Sequence, residues 1–243
     1  MKAEVYKDFL KRVNSYHHPA LFGTQQCFTP DERVVKKVNN DGTFRSFFGD
    51  TVVFKINQDE QKQIEYMAES LHENFGDCFA ERINPESYHV TLHDLASGND
   101  LSQIAVGMFE NELAIKDAFS AYRFPHHPIK MKLSYVINMV NTSIGLVLIP
   151  EREEDYQALM QLKQIFQVIS PLDYPLTPHI TLAYFGRTGM DQDKMAALSA
   201  LVATFNSEPI FFQLHIDNLF YQKFVSMNHY YDIFPIFNKQ PQG

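Results

Sequence analysis

The period of the apolar positions changes along the chain, and each change marks an element. In residues 3–15, Val5, Phe9 and Val13 recur at helical spacing, which predicts a short amphipathic helix. A loop-rich stretch runs to about residue 32. Segments 33–38 and 43–48 then flank Asn39-Asn40-Asp41-Gly42, a run that predicts a hairpin turn. Residues 51–56 are β-branched and apolar and predict a strand. Asn57 and Glu60 stand at capping-box spacing ahead of a helix carrying Ile64, Met67, Ala68, Leu71 and Phe75 on one face. A loop with Gly76 and Pro85 leads to a strand at 88–92. Asp100 opens a helical region to about Tyr122, weakened by Gly107, and 129–140 predicts a long strand.

The second half repeats this order. A strand at 143–149 precedes a helix at 151–168 with Tyr156, Leu159, Met160 and Phe166 along one side. A strand at 179–185 and a helix at 192–205 follow, and strand-rich sequence runs from 210 to about 227. The first strand lies 38 residues before His89 in one half and 36 before His179 in the other. A strand–helix–strand–helix unit repeated at about 90 residues is too long a period for a solenoid and predicts two similar lobes. The expectation is therefore an internally duplicated two-lobed α+β body over 49–243, with interleaved lobes, approximate repeats at 51–140 and 143–227, and helices outside. Residues 1–48 form an N-terminal extension. No low-complexity linker divides the lobes.

Composition narrows the classes. The 243 residues are 45% hydrophobic, enough for one large domain or two coupled lobes. No run approaches the ~18 to 20 apolar residues of a membrane span, and the first residues lack the apolar core of a signal peptide. The two cysteines, Cys27 and Cys78, are too few for a disulfide framework or a Cys-rich zinc site, so a reducing cytoplasm is the simpler expectation. A formal charge of −8 with scattered Lys and Arg leaves no basic stripe for long nucleic acid. It favours a small phosphorylated ligand.

Within the repeat, two strands share a motif. They read Tyr88-His89-Val90-Thr91-Leu92 and Pro178-His179-Ile180-Thr181-Leu182. Strand alternation puts His89 with Thr91, and His179 with Thr181, on one face, while the β-branched and leucine positions pack on the other. Two imidazoles can supply a general base and a general acid on opposite sides of a phosphorus, since a pKa of ~6.5 allows both forms near neutrality. Two hydroxyls can donate to the non-bridging oxygens where charge builds up. A histidine is followed by x-Thr-Leu by chance in about half a per cent of cases. Ten histidines therefore make one hit unremarkable, but two at matching places in a repeat are far rarer. The bland alternative is a pair of ordinary strand histidines with satisfied hydrogen bonds.

Over roughly residues 50–227, these paired His-x-Thr-Leu strands make the chain resemble the 2H phosphoesterase superfamily, which includes RNA 2′,5′ ligase-like proteins and cyclic nucleotide phosphodiesterases. The resemblance implies a pseudo-two-fold fold with two antiparallel sheets flanking a central cleft, and metal-independent phosphodiester chemistry with no cofactor. It casts His89 and His179 as catalytic, Thr91 and Thr181 as phosphate-binding, and Tyr184 as an aromatic near the cleft. The extension has no counterpart in the minimal fold; it can cover the cleft or restrict substrates.

Other residues stay open. His93 shares the face of His89 and Thr91 if the strand continues; it reads as a substrate contact or as a polar residue at a strand end. With His89 it also suggests a metal site, without the helical i, i+4 spacing of zinc proteases. Arg187, past the second motif, is a candidate to neutralise a phosphate. Lys130 and Lys132 alternate onto one strand face, for a phosphate or for solvent. His126-His127 and Tyr16-His17-His18 lie beside Pro125, Pro128 and Pro19 and read as surface loops. The leading expectation is a monomeric cytoplasmic phosphodiesterase acting on a small nucleotide or RNA end, such as a 2′,3′-cyclic phosphate or a 2′,5′-linked nucleotide. The rivals are a non-catalytic nucleotide- or RNA-end-binding module and a metal-dependent hydrolase.

Overall fold

A computed structural model describes residues 4–17, 21–23, 26–119, 127–207 and 209–237. Among these residues, eight strands form two antiparallel four-stranded sheets. The strands are β1 (Phe48–Lys55), β2 (His89–Gly98), β3 (Ile129–Asn138), β4 (Ser143–Pro150), β5 (His179–Tyr184), β6 (Phe211–Leu214), β7 (Leu219–Ser226) and β8 (His229–Pro235). One sheet runs β2-β1-β7-β8 and the other β5-β4-β3-β6. Each sheet thus has the same plan: a His-x-Thr strand at the edge, the antiparallel strand that precedes it across a helix, a strand donated by the other half, and a second edge. The donated strands are β3, which follows the first unit but pairs with β4, and β7, which follows the second but pairs with β1. The sequence repeats 51–140 and 143–227 therefore do not map one to a sheet. A single core runs through both halves, with Val52, Phe54 and Val90 in the same cluster as Leu146, Ile180 and Phe185. The two edge strands β2 and β5 lie against each other.

Among the described residues, five α-helices cover the sheets: α1 (Tyr6–Asn14), α2 (Gln58–Phe75), α3 (Leu101–Phe119), α4 (Glu153–Ile169) and α5 (Gln192–Phe205). Asn57 caps α2 by accepting from the Glu60 N–H at 3.0 Å, and the expected apolar face is buried. The Glu60 carboxylate, however, accepts from the Gln213 N–H at 2.6 Å, tying the helix to β6. Helix α3 lies on β2 and β1, α4 on β3 and β4, and α2 on β5 and α5. The first helix buries Phe9 and Val13 against Val147, Ile149 and Tyr156, so the N-terminal segment is fastened to the second sheet. The described part of α3 stops at Phe119; the expected end near Tyr122 lies outside the described residues, as do His18, Pro19, Pro125 and His126. No described helix is long and apolar enough to cross a membrane.

The hairpin expected around Asn39–Gly42 forms only at its tip. The Asn39 N–H donates to Thr43 O at 2.9 Å, and Gly42 takes φ +85°, the left-handed turn conformation that glycine adopts without cost. The first arm is a 3₁₀ helix, Glu32–Lys36, and only Val38 and Phe44 bridge. The reason lies in spacing. Val34 and Val38 both bury into a small cluster with Ala80, and the Val38 N–H bonds Val34 O at 2.8 Å, a helical closure that brings together two residues a strand would hold about 13 Å apart. The strand β8 has no counterpart among the expected elements, which ended near 227.

Candidate active site

The two His-x-Thr strands carry the same local defect. Thr91 pairs with Val53 and His93 with Val52, leaving Leu92 as an extra residue; Thr181 pairs with Gly145 and Ala183 with Ile144, leaving Leu182 extra. A bulge directly after each threonine reverses the alternation beyond it. Up to the bulge, the pattern is the expected one: Val90 and Ile180 are buried in the core, while His89, Thr91, His179 and Thr181 line a cleft of about 290 Å³.

Each imidazole is held in the same way. His89 Nδ1–H donates to Ser87 O at 2.7 Å, and His179 Nδ1–H donates to Thr177 O at 2.9 Å. A carbonyl can only accept, so in both rings the proton sits on Nδ1 and Nε2 is left with its lone pair. Among the described residues neither Nε2 has a hydrogen-bond partner. Ser87 is fixed by a 3₁₀ turn, Pro85–Ser87. Thr177 is fixed from the N-terminal segment, where the Arg12 guanidinium donates to Thr177 Oγ1 and Leu176 O, both at 2.9 Å. Withdrawal from bulk water is the main cause pushing both imidazoles below the ordinary histidine range. His89 falls to about 4, with the neighbouring His179 adding to the effect; His179 is lowered further by the Lys37 charge. The Asp94 carboxylate opposes both shifts.

The bulge places the remaining candidates. Tyr184, three residues past Thr181, lines the cleft, with its hydroxyl 3.2 Å from Met227 Sδ. Its structural equivalent on β2 is Asp94, which also lines the cleft and accepts from Tyr174 Oη at 2.7 Å. His93 turns away instead of sharing the face of His89 and Thr91. It is 1% exposed, donates from Nε2 to Ser170 O at 2.7 Å, and accepts at Nδ1 from Lys163 Nζ at 2.8 Å. The extra residue Leu92 is the physical reason. Burial and the Lys163 charge hold His93 down at about 4, and burial brings Lys163 down to about 8. Arg187, Lys130 and Lys132 are exposed and do not line the cleft. His17 stacks on Tyr135, centroids 3.9 Å apart, and His127 is exposed. Among the described residues, no three His, Cys, Asp or Glu side chains converge to hold a metal ion.

Several lining residues escape sequence reasoning, Tyr230 and Lys37 foremost among them. Tyr230, on β8, sets its ring 4.8 Å from that of His89. Its signal was the β-favouring run of Tyr230, Tyr231, Ile233 and Phe234 beyond residue 227. Lys37 follows the 3₁₀ helix of the N-terminal segment, and its Nζ lies 5.4 Å from the ring centre of Phe47 and 5.2 Å from that of Tyr184. Local sequence gives no sign that this lysine faces the cleft.

No family model matches the sequence, and no curated protein matches it. Solved structures do. A conserved protein of unknown function, ATU0111 from Agrobacterium tumefaciens, aligns over 91% of this chain and 98% of its own at 14% identity, with a TM-score of 0.68. The two proteins share a fold. TT0787 of Thermus thermophilus aligns over 76% of this chain and 94% of its own at 13% identity and TM-score 0.48. LigT of E. coli in its apo form aligns over 77% and 95% at 12% identity and TM-score 0.46. At those scores neither alignment carries weight.

Proposed function

We propose that this chain is a phosphoesterase of the 2H type that cleaves a small phosphodiester, such as a nucleoside 2′,3′-cyclic phosphate or a 2′,5′-linked nucleotide, without a metal ion. One observation carries the reading. Two imidazoles on equivalent strands are each fixed by an Nδ1–H bond to the carbonyl two residues earlier, leaving Nε2 unpaired beside a threonine that lines the same cleft. Ordinary structural histidines satisfy both nitrogens, as His93 does. In hydrolysis one Nε2 takes a proton from water as its oxygen bonds to phosphorus, and the other imidazole, protonated, gives its proton to the departing ester oxygen. The hydroxyls of Thr91 and Thr181 donate to the two non-bridging oxygens, which gain charge in the transition state.

The test is turnover of a 2′,3′-cyclic mononucleotide by the wild type and by folded His89→Ala and His179→Ala proteins. Each replacement should remove about 10²- to 10⁴-fold of rate. Together they should cost less than the product of the single losses, because the pair acts as a unit. Near-normal turnover by either folded variant refutes the two-histidine mechanism. Binding without turnover by the wild type identifies a binding module instead, and activity that chelation abolishes and one divalent ion restores identifies a metal-dependent hydrolase.

A further inference from the structure

The phosphodiester chemistry leaves one charged group unused. Around a scissile phosphorus, His89 and His179 serve the attacking and departing oxygens, and Thr91 and Thr181 serve the two non-bridging oxygens. The remaining ester oxygen keeps its carbon and needs no donor. Among the described residues, Lys37 is the one cationic side chain lining the cleft. Its backbone N–H bonds Val34 O and its carbonyl accepts from Arg45, but among the described residues its ammonium makes no side-chain hydrogen bond or ion pair. It rests over the rings of Phe47 and Tyr184. Cation–π contact holds such a group in position while using none of its three N–H donors.

The surroundings say what those donors face. The cleft also presents the carboxylates of Asp50 and Asp94. Asp50 is spent on Tyr221, Asn111 and the Ala96 N–H, and Asp94 on Tyr174. An anionic ligand entering this acidic chain meets like charge unless a cation draws it in. Lys37 is part-buried, on the aromatic wall rather than on either His-x-Thr strand, and its charge reaches His179. It belongs to the N-terminal segment, whose Arg12 also anchors Thr177 beneath His179.

We propose that Lys37 binds a second phosphate of the substrate, so that the preferred ligand is a nucleotide carrying a phosphomonoester in addition to the diester held between the histidines. This deepens the phosphoesterase reading and rests on it. The N-terminal segment then does more than brace the second sheet: it selects substrates by charge.

The experiment compares adenosine 2′,3′-cyclic phosphate with the same compound bearing a 5′-phosphate. In the wild type the 5′-phosphate should raise kcat/KM about 10- to 100-fold, the range for a hydrogen bond to a charged group. Lys37→Met keeps an apolar stem on the rings but removes the charge, and should bring the ratio of the two kcat/KM values to within about threefold of one. Lys37→Arg should keep most of the preference. A wild-type ratio near one, or a ratio that survives in folded Lys37→Met, overturns the proposal. Should Lys37→Met misfold, Lys37→Gln carries the same comparison. If neither compound is turned over, the phosphoesterase reading fails by itself, and calorimetry with adenosine 3′,5′-bisphosphate against adenosine 3′-monophosphate decides the Lys37 site. The same preference and its loss in the variant sustain it, whereas equal affinities in the wild type refute it.

Discussion

Placing a phosphodiester anion between His89 and His179 should draw a proton into the cleft. His89 is held at about 4 and His179 is also lowered, chiefly by withdrawal from water, so at neutral pH the uncharged form of both rings is favoured. A unit negative charge about 4 Å from a protonated imidazole stabilises it by about 4 kcal/mol at an effective dielectric of 20. That corresponds to about three pKa units, enough to raise the pair's first protonation towards neutrality. The proton belongs to the pair, not to a named ring. Linkage sets the sign: the bound state holds more protons than the free state between the two ionisations, so affinity rises as pH falls across that window. Binding at pH 5 should be tighter than at pH 7 by about 10-fold or more, with net proton uptake on binding. Thymidine 3′-methyl phosphate is a suitable probe, since it remains a monoanion across the range and has no 2′-hydroxyl to attack. Calorimetry in buffers of different ionisation enthalpy counts the protons directly. An affinity that changes less than threefold between pH 5 and 7, or an undiminished pH dependence in His89→Ala/His179→Ala, would show that the imidazoles do not share the anion.

Three further outcomes test other parts of the structure. Thr91→Val and Thr181→Val should each slow turnover by about 10- to 10³-fold with the melting temperature nearly unchanged, because Val keeps the strand shape and loses only the donor; equal rates would remove the hydroxyls from the mechanism. The folded state holds His93 neutral down to about 4 while the unfolded chain protonates near 6.5, so this residue supports the fold above pH 6.5 and loses that support as pH falls to 4. The loss is about 3 kcal/mol, and urea unfolding of His93→Gln should show a correspondingly shallower acid dependence than the wild type. A Cβ at Gly49 would lie 2.5 Å from the backbone oxygen of Ala96 and 2.3 Å from Phe224 Cζ. Gly49→Ala should therefore destabilise by about 1–3 kcal/mol, read as a lowered melting temperature; an unchanged one would mean that β1 and β2 separate freely there.

How far the sequence speaks for this fold depends on the range of the interactions involved. Helix α2 is legible because its signals are local: a capping asparagine and an apolar stripe of period 3.6. The existence of β3 and β7 is legible for the same reason, but their partners are not. Apolar alternation says that a strand has a buried face, not which sheet buries it. The pairing of β7 with β1 is decided by contacts across more than 160 residues, whereas β3 reaches the second sheet through a short turn to β4. Lys37 is hidden for a related reason, since what makes it a cleft residue is the position of Phe47 and Tyr184.

The bulges show most clearly where a period-2 argument stops. His-x-Thr places one imidazole and one hydroxyl on a face, and alternation continued past the threonine would bring His93 and Ala183 to the cleft and send Asp94 and Tyr184 away. One extra residue, Leu92 in β2 and Leu182 in β5, inverts all four assignments. His93 becomes a buried partner of Lys163, Ala183 joins the core, and Asp94 and Tyr184 line the cleft. The same inversion at the same place in both halves ties the two strands to one duplicated plan more tightly than the four-residue motif does. It also supplies a chemical asymmetry between them. A carboxylate stands on the β2 side and a phenol on the β5 side, so the two imidazoles, alike in their Nδ1 bonds, work in different fields.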